Sequence, residues 1–265
     1  MKCGFIGLGS QGAPMAQAMI DGGYDVMLWA RRAESLQPFV STSATVAGSV
    51  RELGEQVQFC GICVVDDAGV CDVCDELIPA MAPGGCIAIH ATVHPQLCRD
   101  LAAAATARGL YLVDAPVSGG GSAASDKTLT VMVGGSDEAL KIMRPVFETF
   151  SGLLIHLGDV GAGQMAKLVN NSMMAANLAI AHNSLAAASA LGVNREAFVE
   201  LVKVSSGRSF AFEVGSRIQN ASDFAHGARM LNKDVGLLGE ALGDDASYPL
   251  IRDTAQAFLQ AALKV

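Results

Sequence analysis

The string Gly7-Leu8-Gly9-Ser10-Gln11-Gly12 constrains this chain more than any other. It follows a short apolar run, Lys2 to Gly7, and opens a helical pattern, Gly12 to Asp21. It therefore reads as the turn between a strand and a helix. In that setting the three glycines have separate tasks: a tight turn, close approach of backbone to a pyrophosphate, and close helix–strand packing. The helix N-terminus adds N–H groups that favour an anion. Such a unit at the head of a chain predicts an α/β domain that binds a dinucleotide.

The rest of the first half agrees. Asp25 to Trp29, Val57 to Val65, Cys86 to His90, Leu110 to Asp114 and Thr130 to Val133 read as further strands. Val70 to Met81 and Pro95 to Arg108 read as helices between them. This alternation marks a parallel-rich sheet with helices on both faces. After about Asp159 the strand pattern stops. Gln164 to Leu191 is one long, Ala-rich helix pattern, followed by helices over Arg195 to Val204, Phe210 to Asn220, Asn232 to Leu242 and Pro249 to Leu263. The expected fold class is thus α/β: an N-terminal Rossmann domain, 1–160, then an all-helical domain, 161–265, joined by a long interdomain helix.

Bulk properties exclude several partners. The formal net charge of −8 and the lack of a basic run argue against nucleic acid. Leu168 to Leu191 is the one membrane-span candidate, but Asn170, Asn171, Asn177, His182 and Asn183 would be costly in lipid. Met1 to Ile20 is better explained by its glycines than as a signal peptide. The expectation is a soluble, cytoplasmic protein with no membrane partner. Seven cysteines, an odd number, suit free thiols in a reducing compartment. Cys60-x-x-Cys63 and Cys71-x-x-Cys74 imitate a zinc site, but odd spacing on a strand sends Cys60 and Cys63 to opposite faces, so no metal is expected.

Three further constellations carry chemistry. The second strand ends in Trp29-Ala30-Arg31-Arg32, with no acid before Glu34. NAD-binding domains usually place a carboxylate here for the ribose 2′-hydroxyl, whereas an arginine meets a 2′-phosphate. Arg31, helped by Arg32, therefore favours NADP over NAD, although a solvated arginine pair has the same sequence. Asp114-Ala115-Pro116-Val117-Ser118-Gly119-Gly120-Gly121 follows a strand and could present backbone N–H groups and a hydroxyl to an anion, or simply form a connection. In Gly161-Ala162-Gly163-Gln164-Met165-Ala166-Lys167-Leu168-Val169-Asn170-Asn171, Lys167 and Asn171 are four apart and share a helix face. A lysine in so apolar a segment suits proton transfer, because burial disfavours its charged form, unless it reaches out to solvent.

Together and in this order, these strings resemble the β-hydroxyacid dehydrogenase family, which includes 3-hydroxyisobutyrate dehydrogenase and semialdehyde reductases. The similarity runs from about Lys2 to Leu238 and takes in Thr128-Leu129-Thr130-Val131-Met132-Val133-Gly134-Gly135 and Lys233-Asp234. The resemblance implies an NADP-preferring oxidoreductase, with NAD as the alternative cofactor. Its substrate would be a small β-hydroxy acid or the corresponding semialdehyde or keto acid. Lys167 would be the general acid/base. Ser118, Gly119 and Gly120 would hold the substrate carboxylate, Asn171 would orient it, and Lys233 would face the cleft. Gly7, Leu8, Gly9, Ser10, Gln11, Gly12, Arg31, Arg32 and Thr92 would serve the cofactor, Thr92 close to the nicotinamide. The family also implies homodimers or homotetramers. Rival readings are an imine reductase, whose relatives usually carry Asp or Tyr at the position of Lys167, and a non-catalytic NADP-binding regulator.

This sequence departs from the pattern at Gln11 (usually Met), at Ala30 (commonly Asn), and at Ala123 and Lys127, where glycines are frequent. The family usually also continues beyond a final helix, so part of the cleft or of the oligomer contact is expected to differ here. Other residues have plainer explanations: His90, His94, His156, His182 and His226 form no ligand pair, and Phe210 and Phe212 are read as core. Asp66 and Asp67, at a strand end, suit helix capping and ligand binding equally.

Overall fold

The computed structural model describes residues 1–243 and 248–264 of the chain. Its contacts divide it into two compact units, Met1–Lys167 and a second beginning at Leu168.

The first unit is built on nine strands: β1 (Lys2–Ile6), β2 (Asp25–Trp29), β3 (Thr45–Val46), β4 (Phe59–Ile62), β5 (Cys86–Ile89), β6 (Tyr111–Asp114), β7 (Val117–Ser118), β8 (Leu129–Gly134) and β9 (Ser151–Gly158). The order is β3-β2-β1-β4-β5-β6-β8-β7, with β9 also paired to β8. From β3 to β6 every pairing is parallel. β8 then runs antiparallel to β6 and β7 and parallel to β9. The chain leaves β1 in one direction toward β2 and β3 and returns on its other side to β4. This reversal opens a crevice at the carboxyl ends of β1 and β4, where doubly wound sheets bind ligands.

The parallel strands are apolar and buried on both faces, as crossover helices require. Cys3, Phe5, Leu28 and Phe59 point to one face, where they meet Met15 and Met19 of α1 (Gly12–Asp21). Ile6, Met27, Cys60 and Ile62 point to the other face. There they pack on Leu53 of α2 (Val50–Gln56), Leu77 of α3 (Asp67–Ala80) and Cys98 of α4 (Pro95–Thr106). Alternation along a strand produces this partition. It puts Cys60 in the second core while Cys63, just past β4, packs against the first. All seven cysteines are free thiols. Two helices complete the unit, the short α5 (Gly120–Ser125) and α6 (Asp137–Phe147), the latter turning Leu140, Met143 and Phe147 into the first core.

Several details differ from the sequence reading. The sequence names no strand between Val133 and Asp159, where β9 adds an eight-residue strand whose apolar Leu153, Ile155 and Leu157 are exposed. The segment after Asp114 is a short strand and a helical turn, not an open loop. α2 and α6 escaped the pattern reading altogether.

The long helix α7 runs Ala162–Ala190 and carries the chain into the second unit. α8 (Arg195–Lys203), α9 (Phe210–Ser216), α10 (Ala225–Leu242) and α11 (Tyr248–Leu263) follow. α10 begins seven residues before the expected Asn232. Leu168, Ala175, Leu178 and Ala179 of α7 join Leu231, Val235 and Leu238 of α10 and Phe258 and Leu259 of α11 in one core. Gly239 permits the close approach of α10 to α11: a Cβ there would meet the Tyr248 ring at 2.9 Å. Phe212 is buried as expected, but Phe210, first in α9, is 73% exposed and belongs to no core. Among the described residues no helix is long and apolar enough to cross a membrane.

Candidate active site

The three fingerprint glycines are required for three different reasons. Gly7 has φ +95, and a Cβ there would lie 2.3 Å from the Cys63 carbonyl oxygen. Gly12 packs so tightly that its Cβ would reach the Gly7 carbonyl oxygen at 2.0 Å. Gly9 is the opposite case: a Cβ would project into open space, with nothing within 4 Å. A residue that could carry a side chain without internal cost, yet is glycine, keeps room for something from outside. Gln11, at the N-cap of α1, makes no side-chain cap hydrogen bond.

Beside this turn lies a cavity of about 400 Å³. Its lining includes Gly7, Leu8, Gly9, Trp29, Arg31 and Arg32, together with Asp66, Asp72 and Glu76. The residues fit a dinucleotide: a glycine-lined approach for the pyrophosphate, and beyond it two cations at the end of β2 for the ribose end. Asp66 lines the cavity and also caps α3, accepting from the Gly69 N–H at 2.9 Å. Asp67 accepts instead from the His94 N–H at 3.0 Å. Ser10, Gln11, Gly12 and Thr92 do not line the cavity.

Ser118 ends β7, paired with Thr130. Gly119 and Gly120 have φ +131 and +74, and they turn the chain into α5. α5 abuts the fingerprint, because a Cβ on Gly121 would stand 2.5 Å from the Ser10 carbonyl oxygen. The serine–glycine turn and the dinucleotide turn are thus packed together within one unit. Lys127, where the resembling family often has glycine, adopts φ +58, a left-handed backbone that costs a lysine but not a glycine.

Asp114 is fully buried at the end of β6. Its carboxylate accepts from the Gly161 N–H at 2.6 Å and the Gln164 N–H at 2.7 Å, closing the first turn of α7 from another element. Burial pushes its pKa up from 3.8 to about 6, against these N–H groups and Arg99, which pull it down. Gly163 and Gly134 are glycine because a Cβ on either would press on this carboxylate, at 2.9 and 2.4 Å. The Gln164 side chain, also fully buried, donates to the Ala91 carbonyl at 2.8 Å and accepts from the Val93 N–H at 3.1 Å. Thr92 lies between those two residues. Lys167, three residues beyond Gln164 on the same helix, is 9% exposed. His90, just after β5, holds the Ala115 carbonyl through Nδ1 at 2.8 Å and packs among Phe5, Phe147 and Phe150, and burial lowers its pKa to about 4.

In the second unit Asn171 donates to Asp234 at 2.6 Å, and Lys233 lies 3.6 Å from the other carboxylate oxygen. The structure therefore gathers Asn171 and Lys233 around Asp234. It gathers the fingerprint with Arg31 and Arg32 at one cavity. Sequence reasoning missed Asp114, Gln164 and Asp234 as working residues. All three stand inside the motif strings, but nothing in the sequence tells what they hold. Among the described residues no group of three or more His, Cys, Asp or Glu could hold a metal.

Comparison with known proteins agrees with this fold. The family model for the NAD-binding domain of 6-phosphogluconate dehydrogenase matches residues 2–161. The model described as NAD-binding of NADP-dependent 3-hydroxyisobutyrate dehydrogenase matches 161–264. The chain is 34% identical to an NAD-dependent L-serine dehydrogenase of Pseudomonas aeruginosa, over 98% of this chain and 91% of that one. It is 32% identical to a 3-hydroxyisobutyrate dehydrogenase of the same organism, over 93% and 87%. Among solved structures, a 3-hydroxyisobutyrate dehydrogenase of Mycobacterium tuberculosis with L-serine superposes with a TM-score of 0.89 at 26% identity, covering 99% of this chain and 94% of that one. The chain belongs to the β-hydroxyacid dehydrogenase family of NAD(P)-dependent oxidoreductases.

Proposed function

We propose that this protein moves a hydride between NADP(H) and a small β-hydroxy acid or its semialdehyde or keto acid, with Lys167 as general acid/base. The observation that carries the reading is Lys167 itself. It is a nine-tenths-buried lysine, on a helix whose first turn is anchored by a buried carboxylate. A cation placed in such surroundings has a use, and proton transfer to a reacting oxygen is the one this family's chemistry requires.

The dinucleotide supplies or accepts the hydride when bound. The chain's residues do the rest. Gly7, Leu8, Gly9, Ser10, Gln11 and Gly12 offer backbone to the pyrophosphate. Thr92 serves the nicotinamide. Ser118, Gly119 and Gly120 hold the substrate carboxylate through N–H groups and a hydroxyl, and Asn171 and Lys233 orient the substrate. During reduction Lys167 gives its proton to the carbonyl oxygen, and during oxidation it takes the proton from the alcohol. Arg31 and Arg32 support NADP over NAD, because a guanidinium pairs with a 2′-phosphate and no carboxylate ends β2. The two structural units are expected to correspond to a dinucleotide domain over 1–160 and a helical domain over 161–265, working as a homodimer or homotetramer.

The test is oxidation of NADPH and NADH with a panel of short semialdehydes and keto acids. It is run beside the reverse reaction on 3-hydroxyisobutyrate and L-serine. We expect turnover that prefers NADPH, and a kcat lowered on the order of 10²- to 10⁴-fold in Lys167→Ala, the span typical of a lost general acid. Equal activity in the variant removes Lys167 from the mechanism, and a preference for NADH overturns the cofactor assignment.

A further inference from the structure

Gln164 is buried, and its backbone N–H and its side chain both bond outside its own helix. Its backbone N–H goes to Asp114 at the carboxyl end of β6. Its side chain goes to Ala91 and Val93, just past the carboxyl end of β5. β5 and β6 are neighbours in the parallel part of the sheet. Two adjacent strand ends are therefore tied to one turn of α7, across sequence separations of 50 to 73 residues. The tie is selective. A glutamine amide has one acceptor and one donor end, and here each meets its complement, so both peptide groups flanking Thr92 are fixed. One helical turn later on α7 comes Lys167.

We infer that Gln164 is a positioning residue, a clamp that sets the Thr92 turn and Lys167 in one frame by holding residues 91–93 against the first turn of α7. The inference rests on the proposed roles of Lys167 and Thr92. Its physical basis is that hydride transfer depends steeply on placement, so a loss of about 1 Å in register costs far more in rate than in affinity. The carboxyl edge of the sheet is where the cofactor's reactive end must lie in a doubly wound fold. The 91–93 turn is on that edge, within the five-residue connection, residues 90–94, from β5 to α4. Asp114 supports the clamp from behind. Its two oxygens fix the Gly161 and Gln164 N–H groups, and so the direction in which the Gln164 side chain leaves the helix.

Two variants separate positioning from packing. Gln164→Met keeps length and bulk and loses both side-chain hydrogen bonds. Gln164→Glu keeps the acceptor for Val93 and loses the donor to Ala91. Each is measured in the full chain for kcat, for KM of substrate and cofactor, and for the primary isotope effect with C4-deuterated NADPH. Affinity for 2′,5′-ADP is read from quenching of Trp29, which lines the cofactor cavity. We expect kcat to fall on the order of 30-fold or more in Gln164→Met and by less in Gln164→Glu. The isotope effect should rise toward its intrinsic value, while 2′,5′-ADP affinity stays within about threefold, because the adenosine end is untouched. The emission of bound reduced nicotinamide should also differ from that measured with the parent protein.

A kcat within twofold of the parent in a folded Gln164→Met overturns the proposal. So does a parallel loss of kcat, 2′,5′-ADP affinity and thermal stability with no change in the isotope effect, since that is the signature of a merely structural role. If Gln164→Met does not fold, Gln164→Glu carries the same criteria. If the parent protein turns over no substrate, the functional reading has failed, and nicotinamide emission decides the clamp alone: emission unchanged by either variant overturns it, and emission altered with 2′,5′-ADP affinity retained supports it.

Discussion

His90 and Asp114 sit at the carboxyl ends of the adjacent strands β5 and β6, both buried, and their burial acts in opposite directions on stability in mild acid. For His90 the unfolded chain takes up a proton near the ordinary value of 6.5, the folded chain only near 4. Its contribution is present above 6.5 and lost as the pH falls toward 4. For Asp114 the folded carboxyl binds its proton near 6, the unfolded one near 3.8. Its contribution is present below 3.8 and lost as the pH rises through 6. Integrating the two between pH 7 and pH 5, His90 costs about 2 kcal/mol and Asp114 returns about 1 kcal/mol. Before rounding the two differ by about 0.5 kcal/mol, so the parent protein should lose only that much from the pair over this interval.

Asp114→Asn uncovers the histidine and should lose about 2 kcal/mol between the same two pH values, on top of a pH-independent cost of about 1–3 kcal/mol for the N–H group that the amide no longer accepts. His90→Asn keeps a donor for the Ala115 carbonyl and should reverse the slope, gaining about 1 kcal/mol on acidification. Urea unfolding followed by Trp29 fluorescence is the assay, because the chain's one tryptophan lies in the unit that holds both groups. The same pH dependence in Asp114→Asn and the parent would refute the account of Asp114. The same dependence in His90→Asn and the parent would refute that of His90.

Two further outcomes follow from the cofactor cavity. Gly9→Ala should leave thermal stability within about 0.5 kcal/mol of the parent and weaken NADPH binding on the order of 10-fold or more, whereas Gly12→Ala should cost about 1–3 kcal/mol or more by forcing a Cβ onto the Gly7 carbonyl. Calorimetric titration and thermal melts separate the two, and a stable, tight-binding Gly9→Ala would mean that no ligand approaches there. Arg31→Ala should raise the KM for NADPH roughly 10-fold and leave that for NADH nearly unchanged, since one charge-assisted contact to a 2′-phosphate is worth about 1.4 kcal/mol or more. An equal effect on both cofactors would assign Arg31 to something other than the 2′-phosphate.

What the sequence determined by itself was local. The strand–turn–helix at Gly7 to Gly12, the cations at the end of β2, the alternation of apolar runs and the long helix bearing Lys167 and Asn171 are patterns within a few residues of one another. Burial of one face or two leaves its period in the chain directly. Family likeness carried further, because several such strings in fixed order are specific together.

The tertiary structure decided the pairings. Nothing near Gln164 tells that its amide will meet Ala91 and Val93, or that Asp114 will close the start of α7, because hydrogen-bond partners 50 to 73 residues away leave no periodic trace. The same holds for Asp234, which holds Asn171 from 63 residues away. β9 was hidden for a related reason: what makes it a strand is the ladder to β8, while Leu153, Ile155 and Leu157 lie exposed rather than in the core. Even the three glycines, alike in sequence, divide only in space. Gly12 is filled by its own fold and Gly9 is left open for a ligand, and that difference is set by neighbours that the chain brings together only on folding.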